Sequence, residues 1–195
     1  MHASFLRLGP SHRRLTLAVG CLVLAGLAGF SLLGAQQNPN AAAQDASLTD
    51  AVRAAILTDM TIVALPAGST AGHVTVDAVS KLKDQLVAGL SSVYTGPLLT
   101  TKLRALTTYV DAVASSENIA VNTGAGITSL TIDTSILSTS HATVHGKYSV
   151  WVTGRHMEDG QIKDDRAEAS YTFAAGLDRV LDKWLVSSWD DQQVS

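Results

Sequence analysis

His141 and His145 stand four residues apart, the spacing of a chelating pair on a helix. They lie in a stretch that alternates with a period of two, and along a strand that spacing is about 13 Å, too wide for one metal ion. Glu158, Asp159, Asp164 and Asp165 flank Gly160, but without the alternating oxygen ligands of a calcium loop; the cluster reads as a solvated turn. "NTGAGI" has glycines without the lysine or the strand-to-helix context of a phosphate loop. Serine, histidine and aspartate are all present, yet no G-x-S-x-G marks a nucleophile. No catalytic, cofactor-binding or metal-ligating set is therefore expected.

The elements that would have to position such groups begin with an address. "MHASFLRLGPSHRR" carries Arg7, Arg13 and Arg14 and no acid, and residues 15–35, "LTLAVGCLVLAGLAGFSLLGA", hold no ionisable group except the Cys21 thiol. Twenty-one residues at 1.5 Å each reach about 31 Å, enough to cross a bilayer core. The run is longer than a secretory h-region of about 7–15 residues, which favours a retained anchor. The alternative is a secreted protein cleaved at the small-x-small pair Ala41 and Ala43. With the arginines held in the cytoplasm, residues 1–14 form a cytoplasmic tail, 15–35 a single span, 36–46 a linker and 47–195 an extracytoplasmic domain. Taking the three arginines from the 14 basic residues leaves 11 against 17 acidic ones, a net of −6 outside. Such a domain is a poor nucleic-acid binder, because phosphate neutralisation needs clustered Lys and Arg. Without cysteine after Cys21, its stability must come from packing.

"SLTDAVRAAILTDM" opens a first helix at Ser47, and Pro66, Gly68 and Gly72 make the loop that breaks it. Val76, Val79, Leu82, Leu86, Leu90 and Val93 recur at spacings of three and four, as do Leu99, Leu103, Leu106, Val110 and Val113; these are two amphipathic helices. "NIAVNTGAG" reads as a flexible entry, after which the period changes to two. Leu130, Ile132, Thr134 and Ile136 share one face of a first strand. Ala142, Val144, Gly146, Tyr148, Val150 and Val152 share a face of the second, and Ala167, Ala169, Tyr171 and Phe173 of the third; Trp184, Val186 and Ser188 follow in the fourth. Alternation of this kind gives strands with one buried face, and the short connections "MEDGQIKDD" and "GLDRVLD" require antiparallel pairing. The expected fold is α+β: an N-terminal transmembrane helix, then about three helices packed on a curved antiparallel sheet of about four strands.

Helices followed by an antiparallel sheet that closes on "DKWLVSSW" resemble the nuclear transport factor 2-like superfamily, a cone-shaped α+β fold. The single N-terminal anchor narrows the likeness to its extracytoplasmic members, such as actinobacterial Mce-associated membrane proteins and, more remotely, assembly factors of type IV secretion. Some relatives are ketosteroid-isomerase-like or polyketide-cyclase-like enzymes with an acid or base inside the cone. Strand parity places no Asp, Glu, His or Lys inward here, since Asp133, His145 and Glu168 fall on the opposite faces. The leading expectation is thus a non-enzymatic, membrane-anchored accessory protein of an envelope complex, associated with transport or secretion and carrying a protein partner. Trp151 and Trp189, both of outward parity, are its candidate interaction surface. The alternative is a small-molecule-binding cone with an apolar ligand, its pocket lined by Tyr148, Tyr171, Trp184 and Thr134. Trp184, of inward parity, is expected to close the core.

Overall fold

The computed structural model describes residues 40–65, 74–115 and 120–194. These residues fold as three helices, α1 (Asn40–Thr61), α2 (Val76–Ser91) and α3 (Gly96–Ser115), followed by four strands, β1 (Val121–Leu137), β2 (His141–Glu158), β3 (Gln161–Val180) and β4 (Lys183–Val194). The strands pair in sequence order, each antiparallel to the next. Residues 15–35, read from the sequence as a membrane anchor, lie outside the described residues; among those that are described, no helix is long and apolar enough to cross a membrane.

The helices form where apolar spacing and caps agree. Thr75 caps α2 by accepting the amide of Ala78 at 3.3 Å, and Leu82, Leu86 and Leu90 bury its apolar stripe. Val76, expected on that stripe, is instead 80% exposed, because as the first helical residue it lies beyond the packed turns. α1 begins at Asn40, so helix takes up part of the stretch read as a linker. Leu48, Val52, Ala55 and Ile56 on α1 then pack into one core with the inward residues of the sheet, Val144, Tyr148, Tyr171, Phe173, Leu177 and Val186 among them. Burial of such side chains stabilises by roughly 1.5–3 kcal/mol each.

Two strands follow the expected alternation and two do not. β2 and β3 pair without interruption from Glu158 opposite Gln161 to His141 opposite Asp178. The connection "MEDGQIKDD" is accordingly not a loop but the end of a hairpin, closed by a two-residue turn at Asp159 and Gly160, both with positive φ (53° and 75°). Turns of that hand match the twist of the flanking strands. β1 carries three register shifts, between Asn122 and Gly124, Ile127 and Ser129, and Ile132 and Thr134. A β-bulge puts two residues of one strand against one of the other and so reverses the parity beyond it. The stretch "NTGAG", read as a flexible entry, is part of β1. Past the last bulge, Thr134 pairs with His145, which has outward parity, rather than with an inward residue. Ile136, expected inside, is 54% exposed for the same reason.

The fourth bulge lies in β4. Gly176 pairs with Ser188 and Leu177 with Val186, which leaves Ser187 as the extra residue. Upstream of it, the link between α2 and α3 covers the β4 edge: Val186 donates its amide to the Val93 carbonyl at 2.9 Å, and Thr95 donates to Val186 at 3.0 Å. β4 ends opposite Ser170, so residues 161–168 of β3 form a free edge. All eight are exposed.

Candidate functional site

The bulge at Ser187 decides what lines the inner face of the sheet. Before it, Trp184 and Val186 point inward and are buried; after it, Trp189 and Asp191 point inward, the tryptophan half-buried and the aspartate buried. The sequence reading placed Trp189 on the outer face, and the structure corrects this. Its ring stacks on Phe173 at 5.0 Å and 4°, and lies 6.1 Å from Tyr148 at 54°. Tyr148 in turn stacks on Tyr171 at 5.0 Å and meets Phe173 at 5.9 Å. Asp191 is only 5% exposed. One of its oxygens, Oδ2, accepts the Tyr148 hydroxyl at 2.5 Å and the Trp189 indole N–H at 3.0 Å. The expectation that no ionisable group faces inward fails at this residue. One signal in the sequence bears on it: Trp184 and Trp189 are five apart, an odd spacing that puts both on one face only if a residue bulges between them.

A second interior acid comes from the helices, which strand parity does not address. Asp59 on α1 pairs with Lys102 on α3, and its Oδ1 is buried without a hydrogen-bond partner. Burial pushes the Asp59 carboxyl up, Lys102 pulls it back, and the charge of Asp191 adds to the upward push. Tyr94, 2% exposed, donates its hydroxyl to the Ala55 carbonyl at 3.0 Å and carries the Lys102 ammonium 5.4 Å from its ring centroid. Burial, and then the neighbouring Asp59, hold the Tyr94 phenol well above its ordinary range. The result is a partly polar interior, with Asp59, Lys102 and Tyr94 on the helical side and Asp191 and Tyr148 on the sheet.

Of the expected pocket residues, Tyr148 and Tyr171 meet in the ring cluster, whereas Trp184 pairs opposite Arg179 near the other end of the sheet. Asp133 and His145 line an open cleft of about 330 Å³ with Thr172, Asp190 and Gln192 over a floor that includes Gly146 and Phe173. No helix residue lines it, so it is not the enclosed cone pocket the alternative reading expects.

On the outer face, Trp151 lies across β1. A Cβ placed on Gly126 would come within 2.7 Å of the Trp151 Nε1 and 2.9 Å of its Cε2, so the bare backbone of that glycine is what seats the ring. The Arg166 guanidinium covers the ring's other side, 4.5 Å from its centroid, and is held by Glu168 at 2.9 Å. Further along the hairpin, Arg155 grips Asp164 through two bonds of 2.7 and 2.8 Å, and Lys163 pairs with Glu158. These partners hold the Asp164 and Glu158 carboxyls below their ordinary values. His141 bonds Asp178 at 2.8 Å. Among the described residues, no group of three or more His, Cys, Asp or Glu could hold a metal ion.

No protein-family model matches the chain, and no curated protein matches it. Among solved structures, it is similar to the intermembrane space region of the chloroplast protein ARC6, with a TM-score of 0.42, 14% identity, and 58% of this chain and 88% of that one covered. It is also similar to an IcmL-like type IV secretion system protein from Legionella pneumophila subsp. pneumophila str. Philadelphia 1, with a TM-score of 0.42, 12% identity, and 77% and 93% covered. An Ntf2-like protein involved in plasmid conjugation gives a TM-score of 0.36 at 10% identity, with 77% of this chain and 49% of that one covered.

Proposed function

We propose that the chain is a membrane-anchored extracytoplasmic domain of nuclear transport factor 2-like type that acts by binding, as an accessory subunit of a cell-envelope complex for transport or secretion. The observation that carries this reading is the engagement of both interior acids by their own chain: Asp191 by Tyr148 and Trp189, Asp59 by Lys102. A general base must be free to reach a substrate proton, and groups tied in this way serve the fold. The contact surface is the outer face of the β2–β3 hairpin, where Trp151, Arg166, Met157 and Ile162 share outward parity. Aromatic and arginine side chains are the favoured anchors of interfaces. In this reading residues 15–35 span the membrane, with the arginine-rich tail in the cytoplasm and the acidic domain outside.

Purification of the full chain from its own membranes in mild detergent tests this. A stable complex with defined stoichiometry is expected, and Trp151→Ala with Arg166→Ala should release the partner while leaving the domain folded. A chain that elutes alone, or partners unchanged by the double substitution, would overturn the contact role. N-terminal sequencing that begins at Gln44 would overturn the anchor.

A second reading, a small-ligand cone, is favoured by one observation: the Asp59 Oδ1 is buried and unpartnered. A ligand that donates a hydrogen bond there should raise the melting temperature of the native protein and lose that effect in Asp59→Asn. If no hydrogen-bond-donating apolar compound shifts the native melting temperature, this reading fails.

A further inference from the structure

The β3–β4 turn breaks two rules at once. Leu181 and Asp182 both have positive φ, 48° and 64°, a conformation that a bulky side chain adopts only at a cost. The hairpin at the other end of the sheet meets the same demand with Asp159 and Gly160, the residues that such a turn prefers. Leu181 is also 97% exposed, the most exposed large apolar residue described, and Val180 beside it is 40% exposed. The neighbouring β1–β2 turn is tied to this one by the Arg179 amide, which donates to Ser140 at 2.9 Å. Just before that turn, Ile136 and Leu137 are exposed as well. One end of the sheet thus carries an apolar crest with no gain to the fold.

The course of α1 says what lies opposite. Ala55 meets Tyr94, which bridges to Val186 near the crest end of β4. Five residues on, the Met60 carbonyl accepts from Asn122, which pairs with Gly154 toward the far end of the sheet. α1 therefore runs away from the crest, and its first residues project toward it. From Ala55 back to Asn40 the helix covers about 22 Å, and from Val186 back to Leu181 the strand covers about 16 Å. The start of α1 and the crest therefore lie on the same side of the contact between Ala55, Tyr94 and Val186. Only residues 36–39 separate Asn40 from the apolar run 15–35, about 14 Å at full stretch.

We propose that the Val180–Leu181 turn, with Ile136 and Leu137, is a membrane-contact crest that enters the headgroup boundary of the bilayer in which the chain is anchored. This rests on the reading of residues 15–35 as a span. The partner surface is lipid: four apolar side chains on two tied turns form a shallow wedge of the kind that partitions into an interface. Arg179 is paired with Asp182 at 3.2 Å, so the contact depends on apolar insertion and requires no anionic headgroup.

The full chain, with Cys21→Ser, is labelled at a single thiol from Leu181→Cys or Ile162→Cys and reconstituted into phosphatidylcholine vesicles doped with a spin-labelled quencher lipid. Quenching is expected at position 181 and absent at 162, on the opposite end of the sheet. A reporter at Ile136→Cys should lose its quenching when Leu181→Asn is added, although asparagine suits the turn and the domain stays folded. Equal quenching at 181 and 162 in a chain that floats with alkali-washed vesicles would overturn the crest and leave the anchor standing. A label at 181 shielded from aqueous iodide but untouched by the lipid quencher would mean a protein contact and overturn the proposal. A chain that fails to float would remove both readings together.

Discussion

Trp189 lies flat on Phe173, with ring centroids 5.0 Å and planes 4° apart, and it does so because Ser187 bulges from β4. Strand alternation without the bulge would turn the indole outward. In its actual place it packs against both Tyr148 and Phe173 and donates to the buried Asp191. Trp189→Ala should therefore destabilise the domain by about 2–4 kcal/mol, near the range for large-to-small core changes. An exposed contact residue would cost within about 0.5 kcal/mol. The urea midpoint at constant slope separates the two.

Tyr148 and Asp191 should prove coupled. Tyr148→Phe removes the 2.5 Å hydrogen bond and leaves the carboxylate with the Trp189 indole as its remaining donor of the two. An unsatisfied buried acceptor costs about 1–3 kcal/mol. Asp191→Asn should cost a similar amount, since the amide alters the acceptor that both donors use. In a double-mutant cycle the pair should cost less than the sum of the singles, with a coupling of about 1 kcal/mol or more. Simple additivity would mean that the two side chains act independently.

What could be read from the sequence follows from where the bulges are. β2 and β3 obey a strict period of two because their pairing is unbroken over their shared length, and there Tyr148, Tyr171 and Trp151 have the parity that alternation assigns. β1 and β4 break it, and with it go Thr134, Ile136 and Trp189. A bulge is set by the fit of one strand to its neighbour, and no single strand records that fit. The same holds for Asp59: its importance lies in Lys102, 43 residues away on another helix. The helix stripes were legible because Leu82, Leu86 and Leu90 repeat within one element.

Gly126 should resist substitution for a reason that lies on β2. A Cβ there would meet three atoms of the Trp151 ring at 2.7–3.0 Å, so Gly126→Val must lift the indole off β1 and displace the Arg166 guanidinium that covers it. Valine is otherwise the better strand residue, and any loss of stability is thus the ring's. About 1–3 kcal/mol is expected, as for overpacking. Tryptophan emission should shift to the red and quench more readily in acrylamide. An unchanged emission spectrum would mean that Trp151 does not rest on this glycine.

Asp59 and the hairpin acids should give opposite pH dependences. The folded Asp59 carboxyl is raised by burial, so its contribution is fully present below its unfolded value, near 3.8, and is lost as pH rises through the folded one. Lys102 is what limits that loss. Lys102→Met removes the lowering influence and should cost about 2 kcal/mol near neutral pH, less than a fully buried pair because both side chains are partly exposed. The penalty should shrink toward pH 4 as the lone acid takes up a proton. Asp164 and Glu158 are lowered by Arg155 and Lys163; their contribution is present above the unfolded carboxylate values and is lost as pH falls through the folded ones. Amide protection factors across residues 155–166, corrected for the intrinsic exchange rate, should therefore fall on acidification from pH 5 in the native protein, while the Lys102→Met variant gains global stability relative to native over the same interval. Parallel pH profiles in the two measurements would show that the Asp59 carboxyl is not held high by its burial.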